Sequence, residues 1–133
     1  MDTGEIADFC AKNSIALLIL FGSHAGGKVR AASDVDLAVK MRYGIEFSKL
    51  DLIYHLGGLF EGKEIDLVVL TNDTDPVLLN EIFSGGKPLY EERPGAFEEE
   101  KLRAWKLYLD TEKLRVMQRE YLKRFAEKLG DVS

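Results

Sequence analysis

The run Ile15-Ala16-Leu17-Leu18-Ile19-Leu20-Phe21 contains no polar residue and stops at Gly22. A short, continuous apolar run closed by a turn residue reads as a fully buried strand. Such a strand demands cover, so the rest of the chain has to supply helices and further strands around it. Residues 34–41, "DVDLAVKM", alternate, with Val35, Leu37 and Val39 on one face and Asp34, Asp36 and Ala38 on the other. "EIDLVVL" at 64–70 reads as a third strand and "KPLYEE" at 87–92 as a short extended piece. Helical spacing occurs weakly over 4–12 and again through Phe47, Leu50, Ile53, Tyr54 and Leu56, with Gly62 where a helix would end. Pro76 opens another helix that the pair Gly85-Gly86 closes.

Beyond Gly95 the charge is dense, and no glycine occurs before Gly130. Leu102, Trp105 and Leu109 form one helical stripe, and Leu114, Met117, Tyr121 and Phe125 form a second. The spacing breaks between Leu109 and Leu114, at Asp110-Thr111. The tail is therefore either one long helix with a drifting face or two helices with a kink. The order of elements predicts an α/β (α+β) domain with a small mixed central sheet flanked by helices. Within it, 1–93 form the core and 94–133 a helical tail packed on that core. A length of 133 residues suits one domain.

Composition narrows the function classes. A net charge of −5 argues against broad nucleic-acid binding, which needs a basic face. The acidic N-terminus has no apolar core of a signal peptide, and no run approaches the roughly 18 apolar residues of a membrane span. The single cysteine, Cys10, excludes an internal disulfide and points to a reducing cytoplasm. With His24 and His55 far apart, the chain has no zinc pattern.

The segment from Gly22 to Val39, "GSHAGGKVRAASDVDLAV", carries the chemistry. Gly22 to Lys28 matches the G-x-x-x-x-G-K spacing of a phosphate-binding P-loop. Val29 then stands where Ser or Thr must hold magnesium, and a strand follows instead of a long helix, so the required context fails. Asp34 and Asp36 project from one face of a strand, where they repel each other unless water or a divalent cation intervenes. If the third strand lies alongside, Asp66 joins them, and three carboxylates on adjacent strands can hold two metal ions. Glu64 shares that strand face and competes for the role. At the Gly22-Ser23 turn the backbone can approach a phosphate closely, with the Ser23 hydroxyl among the donors.

These residues resemble the G-S-x(about ten)-D-x-D signature of the DNA polymerase beta-type nucleotidyltransferase superfamily, above all its minimal nucleotidyltransferases. "EIDLVVL" matches the place of the third carboxylate and favours Asp66 over Glu64. "LLNEIFSGGKPLYEE" and "YLDTEKLRVMQREYLKRF" resemble the later segments of antitoxin-type members, so the likeness covers most of the chain. The resemblance implies a polymerase beta-like core and Mg²⁺-dependent transfer of AMP from ATP, with two ions. The acceptor it implies is a tyrosine of a cognate HEPN ribonuclease toxin, which the transfer neutralises. It implies that Gly22 and Ser23 bind triphosphate, that Asp34 and Asp36 bind metal, and that Asp66 binds the catalytic metal and activates the acceptor. The family's G-S-x-A-R-G arginine is Gly26 here, and Lys28 or Arg30 would supply its charge. Two alternatives stand beside this reading: an antitoxin that acts by binding alone, and transfer of AMP to RNA or a small molecule. No R-x(4–6)-H ribonuclease pattern precedes either histidine. The sequence leaves self-association open.

Overall fold

The computed structural model describes residues 3–22 and 34–130. The elements run α1 (Thr3–Lys12), β1 (Ile15–Phe21), β2 (Val35–Met41), α2 (Lys49–Leu59), β3 (Ile65–Val69), α3 (Pro76–Gly85), β4 (Lys87–Glu91) and α4 (Ala96–Gly130). The four strands form one sheet in the order β3-β2-β1-β4. β1 is antiparallel to both β2 and β4, whereas β2 and β3 are parallel and joined through α2. The sheet is therefore mixed, as the sequence predicts.

Its interior position explains why β1 is apolar throughout. Ile15, Leu18 and Leu20 pack on one side with Ile6 and Cys10 of α1 and Leu52 and Leu56 of α2. Leu17 and Ile19 pack on the other with Ile82 and Phe83 of α3 and Phe97 and Ala104 of α4. Each such aliphatic side chain, removed from water, contributes roughly 1.5–3 kcal/mol. The alternation read in 34–41 has the same cause. Val35, Leu37 and Val39 face the α1–α2 side, and Ala38 faces the α3–α4 side.

Local chemistry sets the helix ends. The Ser48 hydroxyl accepts from Asp51 N at 3.3 Å, so α2 starts later than its apolar spacing suggests. The Asp75 carboxylate accepts from Val77 N at 2.7 Å, and Pro76 follows at the first helical position. The α4 start is capped from outside the helix: the Glu91 carboxylate accepts from Gly95 N at 3.3 Å and Phe97 N at 2.9 Å.

α4 is a single helix of 35 residues, about 52 Å long at 1.5 Å per residue. The kink considered at Asp110-Thr111 is absent because Thr111 does not cap. Its hydroxyl donates back to Tyr108 O at 2.9 Å within the helix. Only Phe97 and Ala104 of α4 are buried, so its first turns hold the sheet and the remainder projects. No helix among the described residues is long and apolar enough to cross a membrane.

Burial pushes the Cys10 thiol up from 9.0 to about 12. Below pH 9 the thiol is neutral in both folded and unfolded chains. Above it the unfolded chain ionises first, so this contribution to stability is lost as pH rises from 9 towards 12. Cys10 is expected to resist iodoacetamide in the native chain at pH 8.5 and to react fully in denaturant. Mass spectrometry showing fast native labelling would contradict the burial.

Candidate active site

β1 ends at Phe21, and Gly22 turns the chain with φ +74°, a left-handed conformation that glycine adopts without steric penalty. Phe21 pairs with Asp36 across the β1–β2 ladder. The turn therefore lands on the Asp36 carboxylate. A Cβ built on Gly22 would overlap Asp36 Oδ2 and lie 3.0 Å from Asp36 Cγ. Two demands meet at one position, a positive φ and the absence of a side chain.

On its other side β2 pairs in parallel with β3, and Asp36 is in register with Asp66. By strand alternation Asp36 lies on the face of Ala38, and Asp66 on the face of Val68. Both are thus at the strand starts on the α3–α4 face, on strands about 4.8 Å apart. Two carboxylates about 5 Å apart repel by roughly 1 kcal/mol in water and 3 kcal/mol in a half-screened setting. Asp36 is half-buried and Asp66 exposed, so the pair sits between these limits. A cation between the two carboxylates would offset this mutual repulsion.

Asp34 is exposed immediately before β2, two residues from Asp36. Val35 N donates to Glu64 O at 2.9 Å, tying the entrances of β2 and β3 together. Glu64 precedes β3, and the register extended to it sets it level with Asp34 as Asp66 is level with Asp36. Ser23, Lys28 and Arg30, together with Gly26, lie outside the described residues. His55 is remote: it is on α2, its Nδ1 2.7 Å from Asp51 O and its ring against Phe9 and Tyr54.

Among the described residues no three His, Cys, Asp or Glu side chains converge on one cation position. Asp36 and Asp66 offer hard carboxylate oxygens from adjacent strands. That donor set fits Mg²⁺, which takes one or two carboxylates and fills its octahedron with water and substrate phosphate. The close contact between Gly22 and Asp36 was not foreseen from the sequence. The glycine marked it, although a turn alone accounts for a glycine.

A family model described as polymerase beta, nucleotidyltransferase matches residues 4–94. No protein of curated function matches the chain. Among solved structures, the chain is similar to a toxin–antitoxin complex determined with AMP-PNP, at a TM-score of 0.72 and 21% identity, over 92% of this chain and 98% of that one. It is also similar to a chain of the tri-AMPylated Shewanella oneidensis HEPN toxin in complex with MNT antitoxin. There the TM-score is 0.64 and the identity 20%, over 90% and 94% of the two chains. A MntA-HepT toxin–antitoxin structure matches at a TM-score of 0.64 and 20% identity, over 90% and 95%. At these identities the likeness establishes the fold.

Two outcomes test the geometry. Gly62 has φ +75° with nothing near a built Cβ, whereas Gly22 has Asp36 in the way. Gly62→Ala should therefore cost about 1 kcal/mol in strain alone, and Gly22→Ala about 1 kcal/mol more. In an Asp36→Ala background the excess should vanish in urea denaturation; equal costs in both backgrounds would refute the contact. Asp66→Asn should raise stability in metal-free buffer by up to about 1 kcal/mol and abolish the rise in Tm that Mg²⁺ gives the parent chain. A Mg²⁺ response that survives the substitution would exclude Asp66 from the cation site.

Proposed function

The chain belongs to the polymerase beta nucleotidyltransferase family, and from that premise we propose that it transfers AMP from ATP, with Mg²⁺, to a tyrosine of a cognate HEPN toxin and so acts as an antitoxin. The observation that carries the reading is the carboxylate pair Asp36–Asp66 set against the Gly22 turn. An acidic pair beside a backbone open to phosphate suits transfer of a phosphoryl-linked group. The described folds of toxin–antitoxin complexes, one with AMP-PNP and one with AMPylated toxin, point to ATP as donor and a toxin as acceptor. In this reading 1–93 perform the transfer and 94–133 form a tail.

The acceptor hydroxyl attacks the α-phosphorus of ATP. A bond from the tyrosine oxygen to phosphorus forms, the bond to the bridging oxygen breaks, and pyrophosphate leaves. In this reading Asp66, exposed at the start of β3, takes the hydroxyl proton. In this reading Asp34 and Asp36 would hold Mg²⁺ on the triphosphate side of the site, and Gly22 and Ser23 would donate to the phosphates from backbone and hydroxyl. Bound Mg²⁺ would offset charge on the phosphate oxygens and orient the donor. Lys28 and Arg30 are the candidates for the positive charge that Gly26 does not provide. ATP is the substrate, and the setting is the cytoplasm.

A second reading, an antitoxin acting by contact alone, is favoured by the projecting part of α4, whose apolar side chains the body leaves uncovered. The experiment that separates the two uses α-labelled ATP, Mg²⁺ and a HEPN toxin as acceptor. Transfer predicts a labelled toxin band that falls at least 100-fold in Asp34→Ala/Asp36→Ala, with loss of protection in cells. Full protection by that variant, with no label on the toxin, would leave contact as the mechanism.

A further inference from the structure

Resting on the reading that a toxin protein is the acceptor, we propose that the distal half of α4 is the arm that grips it. Leu114, Met117, Tyr121, Phe125 and Leu129 would lie in an apolar groove rimmed by acidic side chains. These five recur at spacings of three and four, so they form one stripe. They are exposed, Met117 by 65% and Tyr121 by 68%. From Leu114 to Leu129 the stripe is about 23 Å long, the scale of a helix laid in a groove.

Among the described residues the contacts along the arm are internal to the helix. The Arg115 guanidinium lies over the Tyr108 ring and donates to the Thr111 hydroxyl, which donates to Tyr108 O, and Tyr121 stacks on Phe125. Its root explains this. Glu100 pairs with Lys40 at 2.7 Å at the end of β2, and Arg103 and Leu107 share a cleft of about 520 Å³ with Leu70 and Thr71 just beyond β3. The helix then continues past the sheet. A helix of this length without tertiary cover is marginal in water, so covering the stripe would stabilise the arm itself.

Charge selects the occupant. Residues 112–130 carry six Lys and Arg against three Glu, a net of +3 on a chain whose total is −5. A second copy of the arm would bring like charge against like, which disfavours pairing of two arms. A partner groove with acidic rims complements it. The three glutamates Glu112, Glu120 and Glu127 interrupt the basic face, which suits paired contacts with a protein better than a uniform phosphate surface. Toxin complexes whose fold is shared over about nine-tenths of this chain necessarily share part of the arm. The arm's root is at the far ends of β2 and β3, about four residues, or roughly 13 Å, along the strands from the carboxylate pair.

The test uses the full chain and the purified HEPN toxin that serves as acceptor in the transfer assay, with calorimetric titration as the readout. Met117→Asp/Phe125→Asp should weaken binding at least 50-fold while Tm and binding of an ATP analogue stay unchanged. Arg119→Glu/Lys123→Glu should weaken it about tenfold and flatten its dependence on salt. Toxin affinity within twofold of the parent in both variants overturns the proposal. So does loss of a homodimer, of anionic-vesicle binding or of RNA binding in the first variant while toxin affinity holds. A parent chain that binds the toxin but transfers no AMP overturns the transfer reading and leaves the arm. A variant that still binds and modifies the toxin overturns the arm and leaves the transfer.

Discussion

The parallel pairing of β2 and β3 is the constraint on which the rest of the structure depends. It puts Asp66 in register with Asp36, although thirty residues and a helix separate them. Parallel strands require such a crossover, and α2 supplies it while covering one face of the sheet. The repulsion built into the acid pair is tolerated because it sits at the strand starts, where water screens it. One rung further in, Ala38 and Val68 are apolar, and the sheet recovers in packing what the rim loses in charge.

The second junction joins the two halves of the sequence signature. β1 and β2 run antiparallel, so the end of one meets the start of the other. Gly22 therefore comes to rest on the Asp36 carboxylate. The lack of a side chain gives that carboxylate its seat, and the positive φ of the turn makes a second demand for glycine. A substitution here therefore disturbs the turn and the acid together.

The body and the projecting helix obey different rules. In the body every large apolar side chain of β1 except the half-buried Phe21 is buried, and no polar side chain is buried among the described residues. Along α4, burial ends at Ala104 and apolar side chains continue in the open. Packing thus accounts for the body and for the root of α4, whereas the proposed grip on a partner would account for the apolar stripe beyond it.

Much of this was legible in the order of residues. The β1 run, the alternation of 34–41, Pro76 and the Gly85-Gly86 stop each reflect a local rule, and the structure follows them. The acids were legible too, because a carboxylate in an apolar strand has few structural reasons to be there. Local rules carry no information on which rungs pair, so the alignment of Asp66 with Asp36 waited for the register of β3. They gave no hint that Gly22 would touch Asp36, which follows from antiparallel pairing across a segment between them. They also left the tail ambiguous between one helix and two, because a drifting stripe is compatible with both. The tertiary structure decided that point by showing that α4 packs only at its first turns, and a helix with no further surface to follow has no cause to bend.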